Sequence, residues 1–99
     1  MTIWISSHAF EDLAARRNFY KKQGLGLGEY FLDALFSDID SLLLYRGIHR
    51  KVFGYHRSLS RRFPYAIYYK LEEDTIRVWR VLDCRQHPSK TKKGLRNLH

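Results

Sequence analysis

The sequence predicts a two-layer α+β fold in which a helical hairpin packs on an antiparallel sheet. In the first half of the chain, apolar residues recur at helical spacing on both sides of a glycine-containing link. In the second half, a run of alternating residues and a run rich in β-branched residues flank an acidic turn. The chain has 99 residues, 44% of them hydrophobic, which suffices for one core but not for two. We therefore expect one domain with the order β-α-α-β-β and room for a third late strand.

The N-terminal part predicts a short strand followed by a helix. Residues 2–6 alternate between apolar and polar side chains, as in a strand with one buried face. Ser7 is the expected N-cap of the helix, with Asp12 in its first turn. Asp12 is expected to pair with Arg16 one turn later. The segment Gly24-Leu25-Gly26 ends this helix, because glycine readily adopts the left-handed conformation of a helix cap.

A second helix is predicted from about Leu27 to Leu44. Its buried face is indicated by apolar side chains spaced by one, two and three turns, at Phe31, Leu35, Ile39 and Leu42. The short link between the two helices predicts an antiparallel helical hairpin.

The strands of the sheet are predicted in the second half. Residues 51–57 predict one short strand. Residues 63–71 predict a long one, with one face formed by Phe63, Tyr65, Ile67, Tyr69 and Leu71. After the polar turn at 72–74, residues 75–83 predict its antiparallel partner. Regular structure is expected to stop at Pro88, which divides the chain into a domain at 1–88 and a basic, flexible tail at 89–99.

The charge of the chain is concentrated in its second half. The net charge is +8, and no acidic residue occurs from Ser41 to Leu71 or after Asp83. This asymmetry predicts a positive face that attracts a polyanion or an acidic protein segment. A merely solvated basic surface explains the charge equally well, so both interpretations stay open at this point.

Several classes of function are not supported by any motif. The single cysteine, Cys84, cannot form an internal disulfide, and its spacing to the five histidines does not match a metal site. The glycines at 24–28 follow a helix, whereas a phosphate-binding loop follows a strand. No apolar run approaches the roughly 20 residues of a membrane span, and the first residues do not form a secretion signal. We therefore expect a cytoplasmic protein that needs no metal and no cofactor.

The remaining candidate groups are arginines, lysines, histidines and tyrosines on the predicted sheet. Such a set can cleave an RNA phosphodiester without metal, with cations stabilising the transition state and a Tyr, His or Lys moving protons. It can also bind nucleic acid without cleaving it, or dock an acidic protein. The alternative is that Tyr65, Tyr68 and Tyr69 fill the core while the arginines are solvated.

Two stretches resemble the ParE/RelE toxin superfamily. They are Arg62-Phe63-Pro64-Tyr65 leading into Ile67-Tyr68-Tyr69, and Cys84-Arg85-Gln86-His87-Pro88 after the last strand. Together with the order of elements, the resemblance extends from Ile3 to about Pro88. It implies a toxin of a type II toxin–antitoxin module, bound by the C-terminal segment of an antitoxin. Its ParE-like branch inhibits DNA gyrase, whereas its RelE-like branch cleaves messenger RNA on the ribosome.

The resemblance also assigns candidate site residues, and it favours the ParE-like branch. Arg85 matches an arginine that RelE-like members carry after the last strand, but Tyr65 replaces their earlier arginine and no tyrosine follows Tyr69. For a gyrase inhibitor, the expected target contacts are Arg61, Arg62, Tyr65 and Arg85. For a ribonuclease, the expected catalytic groups are Arg85, His87, Lys51 and Arg57, with His49 and His56 as further basic groups. A third possibility is a basic binding module whose tail, 90–99, contacts nucleic acid.

Overall fold

The computed structural model describes residues 1–96 and 98, and it confirms the two-layer α+β prediction. The elements, in chain order, are β1 (Thr2–Ile5), α1 (Ser7–Gln23), α2 (Leu27–Asp40), α3 (Leu42–Tyr45), β2 (Lys51–Val52), β3 (Tyr55–Leu59), β4 (Tyr65–Glu72), β5 (Thr75–Asp83) and α4 (Pro88–Gly94). The sheet order is β1-β5-β4-β3-β2, with β1 parallel to β5 and all other neighbours antiparallel. None of the described helices is long and apolar enough to cross a membrane.

The main core lies between the helical hairpin and the sheet. The α2 face predicted to be buried is buried, and it meets Tyr65, Ile67 and Tyr69 of β4, as the alternation along that strand predicted. The largest fully buried side chains of this core are Leu13, Phe31, Leu35, Ile39, Leu42, Tyr65, Ile67, Tyr69, Ile76 and Val78. At roughly 1.5–3 kcal/mol for each large apolar side chain, this burial is the main stabilising contribution to the fold.

The predicted start of α1 is wrong by one residue. The N-cap is Ser6, whose hydroxyl accepts a hydrogen bond from Ala9 N–H at 3.0 Å. The same hydroxyl donates to the carbonyl of Trp79 at 2.7 Å, so the cap also ties the helix to β5. Because the helix begins at Ser7, Asp12 lies beyond its first turn, in which no acidic residue occurs.

The predicted pair between Asp12 and Arg16 is also wrong. Asp12 faces the sheet, where its two carboxylate oxygens each accept a hydrogen bond from the Arg80 guanidinium at 2.8 Å. One of them also accepts from Val81 N–H at 3.0 Å, on the part of β5 that extends beyond β1. Arg16 instead lies over the ring of Tyr65, 5.7 Å from its centroid.

The predicted second helix is divided at Ser41. Its hydroxyl donates to the carbonyl of Asp38 at 2.6 Å, and α2 ends at Asp40. A short α3 follows over the last residues of the predicted helix. Gly28 lets α1 and α2 approach closely, since a Cβ at this position would lie 2.9 Å from the carbonyl oxygen of Arg17.

The segment at 51–57, predicted as one short strand, contains a hairpin. Phe53 and Gly54 form the two-residue turn between β2 and β3, with φ angles of 53° and 85°. Positive φ at both positions is the signature of a type I′ turn. The segment was misread because phenylalanine is an unusual residue at the first position of such a turn.

The predicted flexible tail is wrong for the residues that the structure describes. Pro88 does not end regular structure but begins α4, which suits its fixed φ and missing N–H. Thr91 and Leu95 are buried, because α4 packs on the sheet face opposite the helical hairpin. The last part of the predicted tail includes residues 97 and 99, which lie outside the described residues.

Candidate functional site

A groove crosses the sheet face that the helical hairpin leaves open. It lies between the β2–β3 hairpin and α4 and has a volume of about 460 Å³. Its walls combine two arginines with apolar and weakly polar side chains, among them Arg50, Phe53, Arg57, Leu59, Tyr68 and Cys84. None of its lining residues is acidic, so the groove carries positive charge next to apolar surface. This combination suits a partner that carries both carboxylates or phosphates and apolar groups.

Arg57 is the central cation of the groove. It lies on β3 opposite Tyr68 on β4, and its Nε donates to the Tyr68 hydroxyl at 3.2 Å. Tyr68 is buried on this face of the sheet, so the hydrogen bond holds the guanidinium over the floor of the groove. Cys84 lies beside this pair, and burial raises the pKa of its thiol. A neutral thiol is a poor nucleophile, so Cys84 belongs to the apolar lining.

Arg85 lies outside the groove and forms an ion pair with Asp83. Its Nε and one terminal nitrogen donate to the two Asp83 carboxylate oxygens at 3.0 and 2.8 Å. These bonds, and the Arg85 backbone N–H to the same carboxylate, hold the pKa of Asp83 below its ordinary value. The Arg85 side chain remains 65% exposed, so it can still meet a partner, but its charge is shared with Asp83.

The other two candidate catalytic groups, His87 and Lys51, are not among the residues that line the groove. His87 is the N-cap of α4, where its Nδ1 accepts from Ser89 N–H at 3.1 Å. Lys51 lines a separate depression of about 310 Å³ with His56 and Lys70. Among the four groups expected of a ribonuclease, only Arg57 lines the groove.

Tyr65 cannot contact a target in this fold. It is 1% exposed, and its ring packs edge-on against Phe31 with 5.5 Å between centroids. Its hydroxyl lies 3.5 Å from that of Tyr20, and burial raises its pKa further from the neutral range. The prediction of a target contact at Tyr65 is therefore wrong, and the alternative, a tyrosine that fills the core, is correct.

Arg61 and Arg62 lie together on a loop that is held by α2. The carboxylate of Asp38 accepts from the Ser60 hydroxyl at 2.6 Å and from Arg61 N–H at 3.3 Å. Arg62 donates to the hydroxyl of Tyr30 at 2.9 Å. Both arginines are exposed. The structure thus presents them as an adjacent basic pair on a loop whose backbone is held by Asp38, on the helical side of the sheet rather than in the groove.

The two further histidines have structural contacts. His49 Nδ1 is hydrogen-bonded to the hydroxyl of Tyr69, which also accepts from Gly47 N–H at 3.0 Å. The ring of His56 stacks on Tyr69, and its Nδ1 donates to the carbonyl of His49 at 2.8 Å. Burial, and to a lesser extent the charge of His56, lowers the pKa of His49. These contacts fasten the loop between α3 and β2 to the sheet.

The groove contains residues that the sequence prediction did not single out. Arg50, Phe53 and Leu59 meet there because the β2–β3 turn folds the chain back on itself. The only sequence signal for this turn is Gly54 between two runs of strand-forming residues. Among the described residues, no three histidine, cysteine or carboxylate side chains come close enough together to hold a metal ion.

Comparison with known proteins shows similarity to a protein family and to solved structures. A family model described as "ParE toxin of type II toxin-antitoxin system, parDE" matches residues 3–88. The fold is similar to that of a solved structure described as the "Chromosomal ParDE TA system from P. aeruginosa", with a TM-score of 0.69 and 20% sequence identity. The similarity covers 84% of this chain and 95% of the other. A comparison with curated protein sequences gives no match.

Proposed function

Because the chain belongs to the ParE family of toxins of type II toxin–antitoxin systems, we propose that it acts by binding and inhibiting DNA gyrase. On this proposal it works in the cytoplasm, where a cognate antitoxin with an acidic, amphipathic segment neutralises it. The observation that supports the proposal is that, of the four groups expected of a ribonuclease, only Arg57 lines the groove, while Arg85 is paired with Asp83 and His87 caps α4.

Metal-independent cleavage of RNA requires a proton-transfer group and cations that converge on one phosphate, each within about 3 Å of the reacting atoms. In this chain Arg57 lies in the groove, while Arg85 is paired with Asp83 at the end of β5. His87 is engaged at the start of α4, and Tyr65, at the place of an expected arginine, is buried. This arrangement supports action by binding rather than by cleavage.

The basic pair Arg61 and Arg62 is the best-supported contact for the target. Both side chains are exposed, and the Asp38 and Tyr30 contacts of their loop reduce the entropy lost when a partner orders it. Gyrase and its bound DNA both offer negative charge to such a pair. Arg85 is expected to contribute less, because Asp83 already neutralises much of its charge.

The test is a supercoiling assay with purified gyrase and the purified full chain. We expect supercoiling to stop at an excess of toxin. Replacing both Arg61 and Arg62 by alanine should raise the concentration needed by about tenfold. Arg46→Ala, an exposed arginine at the end of α3, is the matched control and should leave inhibition unchanged. Normal supercoiling in the presence of excess wild-type toxin would reject the proposal.

The alternative function is a ribosome-associated messenger ribonuclease, and the presence of Arg57 and Arg50 in an acid-free groove is the observation that favours it. Expression of the toxin followed by mapping of messenger RNA ends separates the two functions. New ends that appear with the wild type and vanish with Arg57→Ala would establish the ribonuclease. The third function is nucleic-acid binding through the lysines of α4. It requires that the affinity of the chain for nucleic acid falls steeply as the salt concentration rises.

A further inference from the structure

β1 forms one edge of the sheet, and no strand of the described chain pairs with its outer side. The N–H groups of Thr2 and Ser6 donate at 2.8 and 2.9 Å to carbonyl oxygens of the turn before β5 and of β5 itself. Successive residues of a strand direct their backbone groups to opposite sides, so the N–H and C=O of Ile3 and Ile5 point outward. The outer side of β1 therefore offers two backbone donors and two backbone acceptors to a further strand.

The sequence of β1 lacks the features that usually keep an exposed edge from pairing. Native proteins protect edge strands with lysine, proline or a bulge, or make them very short. The opposite edge of this sheet follows that rule, because β2 is two residues long and includes Lys51. β1 instead reads Thr-Ile-Trp-Ile, without a charged residue or proline, and its register with β5 is unbroken. It is a regular, neutral edge that a second strand can extend.

Trp4 adds an exposed aromatic surface to this edge. Its ring packs edge-on against that of Trp79, with 5.1 Å between centroids, on the face of the sheet opposite the helical hairpin. The guanidinium of Arg77 lies 4.8 Å from the centroid of the Trp4 ring and pairs with Glu72 at 2.9 Å. Trp4 remains 38% exposed. A ring that is already held by two neighbours loses little entropy when a partner covers its remaining surface.

The charge of the chain indicates what kind of strand would cover β1. The net charge is +8, but β1 itself carries none of it, and the cation nearest to Trp4 is already paired with an acid. A nucleic acid cannot pair with a backbone edge, and an acidic segment finds no unpaired cation on this strand. A neutral, apolar strand with outward backbone groups fits best. β1 of a second copy of the chain has these properties.

Two β1 strands are complementary to each other in the antiparallel direction. When Trp4 lies opposite Trp4 of the partner subunit, Ile3 lies opposite Ile5 of the partner subunit, and the reverse holds on the other side of the axis. Opposite residues of a hydrogen-bonded antiparallel pair exchange both N–H···O=C bonds, so each outward group finds a partner. The two tryptophans then form the closer pair at the twofold axis, where aromatic rings attract each other.

We propose that two copies of this chain associate through β1 into a symmetric dimer, in which the two five-stranded sheets join into one and Trp4 lies at the axis. A contact of this kind closes after two copies and does not continue into a filament. Because the paired strands are short, the dimer is weak and forms at high protein concentration. Three strands separate β1 from the β2 edge, so the groove stays open in both copies. The inference concerns assembly and does not depend on the proposed target.

The test is sedimentation equilibrium of the purified full chain from about 1 μM to about 1 mM. About 0.15 M salt limits the repulsion between two chains of charge +8 to a range of about 8 Å. We expect the mean mass to rise from that of one chain toward that of two.

Trp4→Glu should raise the Kd of the dimer at least about tenfold, because like charges directly opposite each other repel and the aromatic pair is lost. Within its own chain the new carboxylate lies beside Arg77, which favours retention of the fold. Tyr45→Glu is the matched control, since Tyr45 is 53% exposed and lies beside β3. It makes the same change in charge and should leave the Kd of the dimer unchanged.

Hydrogen exchange of the wild type supplies a readout that needs no variant. The amides of Ile3 and Ile5 should exchange much more slowly as the concentration rises, because each gains a backbone acceptor in the dimer. The Ser6 amide, which already donates to the carbonyl of Val78, is the internal reference and should change far less. Circular dichroism checks the fold of Trp4→Glu, and if that variant does not fold, the exchange measurement decides alone.

A chain that stays monomeric at about 1 mM would overturn the inference. A dimer whose Kd is the same in folded Trp4→Glu, or whose Ile3 and Ile5 amides exchange as fast as in the monomer, would also overturn it, because the contact would then lie elsewhere. Slower exchange at these amides that appears only when an antitoxin is added would assign the edge to that partner and overturn the dimer.

Discussion

Removal of the Asp12 carboxylate should be one of the most damaging single changes to the stability of this fold. Asp12 accepts two hydrogen bonds from Arg80 and one from Val81 N–H, and the two side chains are only 14% and 22% exposed. In Asp12→Ala, the Val81 N–H loses its acceptor, which costs about 1–3 kcal/mol. The guanidinium loses its counter-ion while it keeps a 2.7 Å bond to the carbonyl of Gly94.

Breaking a fully buried ion pair costs roughly 3–5 kcal/mol, and we reduce this to about 2 because water reaches the exposed part of Arg80. Together the two losses predict that the free energy of unfolding falls by about 3–5 kcal/mol. This is a large share of the roughly 5–15 kcal/mol that stabilises a typical domain. Asp12→Asn retains an oxygen for Val81 N–H and should lose less.

Urea unfolding followed by circular dichroism measures these changes. Asp33→Ala, at an exposed position of α2, is the control and should change the free energy of unfolding by less than about 0.5 kcal/mol. Adding Arg80→Met to Asp12→Ala should restore part of the loss, because it removes the unpaired cation. If Asp12→Ala proves as stable as Asp33→Ala, the attribution of stability to this pair is refuted.

Two further predictions concern the contact between α1 and α2 and the charge at the end of β5. Gly28→Ala should lower the free energy of unfolding by about 1–3 kcal/mol, since its Cβ would lie 2.9 Å from the carbonyl oxygen of Arg17. Gly24→Ala is the control, because the nearest atom to its Cβ would be 3.9 Å away. It should change the free energy of unfolding far less in the same urea assay. Arg85→Ala should raise the pKa of the Asp83 carboxyl toward its ordinary value, which a carbon-detected NMR titration measures. A depressed folded-state pKa adds stability that is present above the unfolded value and is lost as the pH falls through the folded pKa. The wild type should therefore lose more stability than Arg85→Ala as the pH is lowered through that acidic range, and identical acid unfolding curves would contradict the assigned cause.

The fold could be predicted where one side of an element faces a core and the other faces water. The apolar stripe of α2 and the alternation along β4 both have this origin, and each predicted its buried face. The predictions failed where a backbone contact determines the outcome. Whether Ser6 or Ser7 caps α1 depends on the position of the Trp79 carbonyl, which is far away in sequence.

The site was harder to predict because its residues are distant in sequence and come together only in the folded chain. Arg85 could be singled out because it matches the family pattern. The pattern did not reveal that Asp83 forms an ion pair with it. Tyr65 was assigned to the surface because its replacement of an arginine drew attention, although its place in the alternation already indicated burial. Phe53 went unnoticed since composition does not reveal a positive φ.

The pairing of β1 with β5 has a consequence for how the protein is made. β1 precedes its partner strand by a long stretch of chain, since that strand begins at Thr75, and the Ser6 cap bonds to a carbonyl 73 residues later. Contacts of such high sequence separation form late and slow the folding of a small domain. The nascent chain therefore cannot close its sheet until β5 has been translated. Any activity that depends on the closed sheet is therefore delayed until β5 has left the ribosome.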